Sequence, residues 1–249
     1  SVFLKMIRRH SRSTLFPYRT VFVSGPYARA GASDGMDANP VSLQDNVQRI
    51  GQVPLLFAPG SQWLYSLGVD VAGAVAEAAS GQTLQQLFDR LLAQPLGLRD
   101  TGFSTTQGAR LATPYVSDTP QPHRLQEGEV VAPFDGTVGI EYSLARATDA
   151  SRYASAGAGL IGSTDEVMTV LEALRDVQAS ALLPPELAAE MGRVQAGEQG
   201  PPDPPGWGFG LGFAVLRDAA ASGTPQSTGT WRWGGAYGHS LFVAPARGL

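Results

Sequence analysis

Few side chains in this sequence could carry acid–base or nucleophilic chemistry, and their types narrow what that chemistry is. There is no cysteine, which removes disulfides, thiolate nucleophiles and cysteine-held metals. The three histidines, His10, His123 and His239, lie far apart in sequence. They argue against a histidine metal site, and only His239 is placed to serve a Ser-His-Asp arrangement. The run Gly238-His239-Ser240-Leu241-Phe242 begins like a G-x-S-x-G nucleophile elbow but ends in Phe. Lys5 is the single lysine. Tyr65, at the end of Phe57-Ala-Pro-Gly60-Ser-Gln-Trp63-Leu-Tyr65, is a phenol, a poor base at neutral pH unless a nearby cation stabilises the phenolate. Taken by itself, such a tyrosine is more often one packed beside Trp63 with its hydroxyl bonded to backbone.

The elements that must position these groups follow from pattern. Ser42 caps a helix to about residue 50, with Leu43, Val47 and Ile50 on one face. Residues 66–80 read as a helix stopped by Gly81, and Thr83 caps another through residue 93, ended before Pro95. Residues 104–140 read as irregular. Ser163-Thr164-Asp165-Glu166 reads as a capping box, and Pro184-Pro185 opens a short helix. After a Gly/Pro-rich loop at 197–206 the period falls towards two, giving strands at 207–215, 230–233 and 240–243. Helices fill the middle and strands gather at the C-terminal end.

Composition sets the outer limits. The 249 residues hold 43% hydrophobic and 16% charged side chains, with 30 Gly and 18 Pro: a turn-rich globular chain, not a coiled coil or a disordered one. Six of the 18 positive charges precede Asp34, and no acid does, so residues 1–40 read as a basic, irregular segment. Residues 34–249 carry 12 basic and 22 acidic groups, which makes a poor nucleic-acid binder, so no nucleic-acid partner is expected. No run is long and apolar enough to span a membrane, and the head lacks the apolar core of a secretory signal, which favours the cytoplasm as an expectation.

Several ordered motifs give the sequence a family likeness. Phe57-x-Pro59-Gly60-x-x-Trp63-x-Tyr65-Ser66 is followed by Asp70-x-x-Gly73, Ser80-Gly81 and Pro95-Leu-Gly97-Leu-x-Asp100-Thr101-x-Phe103. Then come Ala156-Gly157-x-Gly159-Leu160, Ser163-Thr164-x-Glu166, Gly208-x-Gly210-x-Gly212 and Trp233-Gly234-Gly235-x-Tyr237-Gly238-His239-Ser240. From about Tyr27 onward the chain resembles the serine β-lactamase-like superfamily of class C β-lactamases, DD-peptidases and family VIII carboxylesterases, most of all the last.

The resemblance implies an α/β (α+β) fold: an antiparallel sheet flanked by helices, beside a mostly helical subdomain, with a cleft between them. Residues 41–200 would be mostly helical and 201–249 the C-terminal strands. It implies an acyl-enzyme mechanism with Tyr65 as general base, and Trp233, Gly234 and Gly235 forming the oxyanion wall. Ser66, Leu67 and His239 would lie along the cleft. Leu67 stands where the family has the Asn of Y-x-N, and Trp233 where it has the Lys of K-T-G. Losing an amide and a positive charge favours an uncharged short-chain ester over an anionic β-lactam. The implied partner is a small ester or amide, with no cofactor and no metal.

One motif is absent. The family's S-x-x-K needs a lysine, and three places before Lys5 stands Val2. The expectation is therefore an internal portion of a longer hydrolase, or a degenerate copy, poorly active alone. A β-lactamase or DD-peptidase and a non-catalytic binding domain are the alternatives.

Overall fold

The computed structural model describes residues 5–8, 25–132, 139–176, 182–197 and 205–248. They form a mixed α/β structure with three sheets. Strands β1 (Lys5–Arg8) and β2 (Pro114–Ser117) run parallel, and β2 pairs antiparallel with β3 (His123–Arg124). Strands β4 (Glu129–Val131) and β5 (Ile140–Tyr142) form an antiparallel pair. The third sheet is an antiparallel meander of β6 (Trp207–Phe209), β7 (Ala214–Leu216), β8 (Trp231–Gly234) and β9 (Ser240–Val243). The expected C-terminal strands are thus neighbours and antiparallel. The run 207–215, read as one strand, is instead a hairpin: Gly210 and Gly212 sit in its turn, and Gly212 takes a φ of 84° that side-chain-bearing residues avoid. The stretch 104–140, read as irregular, contains β2 to β4 and the first residue of β5. These strands have two to four residues, too short to show a period.

The described α-helices are α1 (Gly25–Arg29), α2 (Leu43–Gly51), α3 (Gly68–Ser80), α4 (Leu84–Phe88), α5 (Gln94–Leu96), α6 (Thr164–Arg175), α7 (Pro185–Met191) and α8 (Ala219–Ser222). α1 and β1 both lie in the N-terminal stretch expected to be irregular. Capping chemistry sets several boundaries. The Ser42 hydroxyl accepts from the Asp45 N–H at 3.0 Å. Thr83 and Gln86 form a full capping box, each side chain accepting from the other's N–H. The helical run opened by Thr83 does not stop before Pro95: a π-turn at Asp89–Ala93 carries α4 into α5, where Pro95 occupies the first turn.

Ser163 caps α6, but Glu166 does not complete a capping box. Its carboxylate turns away to accept from the Arg99 and Asp100 N–H groups, at 2.6 and 3.0 Å, and from the Thr101 hydroxyl at 2.6 Å. The Asp100-Thr101 motif is thus tied to α6, and Asp100 in turn holds Arg110 through both carboxylate oxygens. Asp70 does the same work on α3. It is 1% exposed and accepts from the Ser155 hydroxyl at 2.9 Å and the Gly157 N–H at 3.0 Å. One turn on, Gly73 lets Leu84 and Ala156 close against the helix. These motifs therefore build the frame around the site.

Candidate active site

Tyr65 lies in a stretch without regular structure that leads into α3. Its ring meets the Trp233 ring of β8 at 5.3 Å. Trp63 stands 6.3 Å from Tyr65 and 5.1 Å from Phe209 of β6, and Phe209 stands 5.1 Å from Trp233. The four rings form a closed cycle that ties residues 63–65 to the large sheet. Tyr65 and the first residue of Trp233-Gly234-Gly235 are thus brought together. Two open concavities, of about 290 and 390 Å³, lie on other parts of the surface, and neither is lined by Tyr65 or Trp233.

The phenol is electrostatically confined. Burial raises the Tyr65 pKa above its ordinary value; a side-chain hydrogen bond from Trp233 pulls it down, and the Asp70 charge pushes it up again. An indole has only its N–H to offer, so Trp233 is the donor. No cation among the described residues figures in this balance.

The third motif ends β8 and turns back into β9. Gly234 pairs with Ser240 across the ladder. The Gly235 N–H donates to the His239 carbonyl at 3.0 Å, and the Gly238 N–H to the Gly235 carbonyl at 2.9 Å. The Gly235 N–H is therefore already used within the turn. The next one, that of Ala236, meets no acceptor among the described residues. The His239 ring packs directly over Gly235: a Cβ there would stand 2.0 Å from its Cε1. Glycine at 235 makes room for this imidazole.

Ser66 and Leu67 were both expected along the cleft. Leu67 is 4% exposed and caps the start of α3 from within the core. Ser66 shares a 2.9 Å hydrogen bond with the Tyr27 hydroxyl of α1. The sequence offered no sign of that partner, nor of Phe209 as the fourth ring, although both fall inside the family-like region. Side chains of β1, including Lys5, lie outside the described residues.

Comparison with known proteins identifies the family. The family model described as Beta-lactamase matches residues 24–249. Esterase EstB of Burkholderia gladioli is 47% identical over 224 residues, which cover 90% of this chain and 57% of EstB. A Lovastatin esterase of Penicillium rubens is 32% identical over 101 residues, 40% of this chain and 24% of that one. Among solved structures, EstCE1, described as a hydrolase with promiscuous acyltransferase activity, superposes with a TM-score of 0.81 at 43% identity, covering 90% of this chain and 59% of EstCE1. The chain thus spans under two thirds of the length of EstB and EstCE1. A simvastatin synthase variant from Aspergillus terreus, at 20% identity and a TM-score of 0.61, shares the fold, covering 88% of this chain and 57% of its own. With the ordered motifs and this match over nearly its whole length, the chain belongs to the beta-lactamase family.

Proposed function

We propose that this chain carries the proton-transfer tyrosine and the oxyanion wall of a serine carboxylesterase acting on small uncharged esters. The observation that supports this most is the contact of Tyr65 with Trp233 at the head of the Gly234-Gly235 turn, with the indole hydrogen-bonded to the phenol. Kept protonated by burial, Tyr65 is an acid suited to deliver a proton to a departing alkoxide. To act first as a base it needs a cation beside it, the role of the lysine in S-x-x-K. That pattern is not found in residues 1–249. The Ala236 N–H is the turn's donor for the oxyanion, since the Gly235 N–H is engaged. Trp233, apolar where an ammonium would recognise a β-lactam, supports an ester substrate. The esterase relatives point the same way.

The test is fluorophosphonate labelling and p-nitrophenyl butyrate hydrolysis by residues 1–249, alone and joined to a family-type segment bearing S-x-x-K. Labelling and turnover are expected only in the joined form, where Tyr65→Phe lowers turnover by roughly 10²–10⁴. Full labelling of residues 1–249 alone would reveal a nucleophile of another kind. A folded joined form that neither labels nor hydrolyses would leave the binding-domain reading.

A further inference from the structure

The Ala236 N–H sits at the tip of the β8–β9 hairpin, on a residue exposed to solvent. A donor that is to meet a developing charge must be aimed before the charge appears. The turn does part of this itself. The Gly238 N–H donates to the Gly235 carbonyl at 2.9 Å, the bond from fourth residue to first that closes a β-turn. A peptide unit is planar, so fixing the Gly235 carbonyl also sets the direction of the Ala236 N–H in the same plane. The next plane carries the Ala236 carbonyl and lies at the centre of the turn. That carbonyl takes no part in the closing bond.

Tyr142 of β5 holds this second plane. Its hydroxyl, from 94 positions away, donates to the Ala236 carbonyl at 3.3 Å, and its ring meets the Tyr237 ring edge-on at 5.1 Å. Two successive residues of the turn thus rest on one side chain. That side chain is 2% exposed, in a core cluster with Met36, Val116, Leu125, Val131 and Ile140. The backbone around it is firmly fastened. The Tyr142 carbonyl accepts from the Gly128 N–H at 2.9 Å, and the Ser143 N–H donates to the Met36 carbonyl at 2.8 Å. The Glu127 carboxylate accepts from the Ser143 hydroxyl at 2.7 Å and from the Leu144 N–H at 2.6 Å.

We infer that Tyr142 is a positioning residue for the Ala236 N–H, holding the tip of the β8–β9 hairpin against the β4–β5 pair. The inference rests on reading that N–H as the oxyanion donor. With the planes on both sides of Ala236 held, its two backbone dihedrals are fixed and the donor keeps its direction. Loss of the Tyr142 hydroxyl removes the bond that fixes the second plane.

Tyr142→Phe keeps the ring and removes the donor. In ¹⁵N-labelled residues 1–249, the Ala236 N–H should have an order parameter of about 0.85, falling to about 0.6 or below in the variant. The amides of Trp231 and Val243, at the far end of the same hairpin and in a different packing cluster, should keep their values and report an intact fold. In the joined form bearing S-x-x-K, Tyr142→Phe should lower kcat for p-nitrophenyl butyrate by roughly 3- to 30-fold, less than the loss of a whole donor, and leave KM within about 2-fold. Counting active sites with fluorophosphonate separates this from a merely structural role, which would reduce the number of folded sites and leave kcat per site unchanged. An unchanged Ala236 order parameter, equal loosening at Trp231, or an unchanged kcat per labelled site would each overturn the proposal. The last of these leaves the hydrolase reading standing. A joined form that neither labels nor hydrolyses defeats the hydrolase reading by itself, and the order parameters still decide whether Tyr142 holds the turn.

Discussion

The Tyr65 and Trp233 rings meet at 5.3 Å with their planes tilted by 42°, and Trp233 also hydrogen-bonds the phenol. That bond favours the phenolate, because a donor to the oxygen stabilises its negative charge. Trp233→Phe keeps an aromatic ring but removes the donor. The Tyr65 pKa, already raised by burial, should then move further up. A spectrophotometric titration of tyrosinate, with Tyr65→Phe to identify the band, checks the direction; a downward shift would contradict the assignment.

Gly73 tests the docking of α3. A Cβ at this position would stand 2.8 Å from a Leu84 methyl and 3.0 Å from the Ala156 Cβ. Gly73→Ala should cost about 1–3 kcal/mol through overpacking, despite alanine's better helix propensity. Gly68→Ala, at the start of the same helix with nothing within 4 Å of its added Cβ, is the control and should be nearly neutral. Urea midpoints of the two variants make the comparison.

Asp34 makes the stability depend on pH. Burial raises its carboxyl from 3.8 to about 6; the Met36 N–H pulls it down, and the Asp37 charge pushes it up. Between these values the unfolded chain has released the proton while the folded one keeps it, so this group's contribution falls as pH rises. Asp34→Asn, which can still accept from the Met36 N–H, should remove that slope. The variant should gain on the native chain as pH climbs from about 4 to about 6, and keep the gain at neutrality. Thermal midpoints across this window provide the check, and a constant difference between the proteins would refute it.

Much of the frame was legible in the sequence because local rules govern it. The Ser42 cap, the Thr83 cap and the end of α3 at Gly81 each depend on residues within one helical turn. The meander was legible from alternation, apart from the turn hidden inside 207–215. What escaped depends on distant partners. Glu166 looks like the last member of a capping box until residues 99–101 arrive to claim its carboxylate. Asp70 belongs to a motif, but only the tertiary structure shows it gripping Ser155 and Gly157. The site divides in the same way: the meeting of Tyr65 and Trp233 was expected from family motifs, whereas Tyr27 carries no local signal of its partner.

The closed cycle of Trp63, Tyr65, Trp233 and Phe209 also makes the site visible to light. Rings locked 5.1–6.3 Å apart at fixed tilts couple their electronic transitions, and energy absorbed by the phenol passes to the neighbouring indoles. Near-ultraviolet circular dichroism and intrinsic fluorescence therefore register any sliding of residues 63–65 against the large sheet. Any small molecule that entered beside Tyr65 would report its own arrival, with no dye attached and no bond broken.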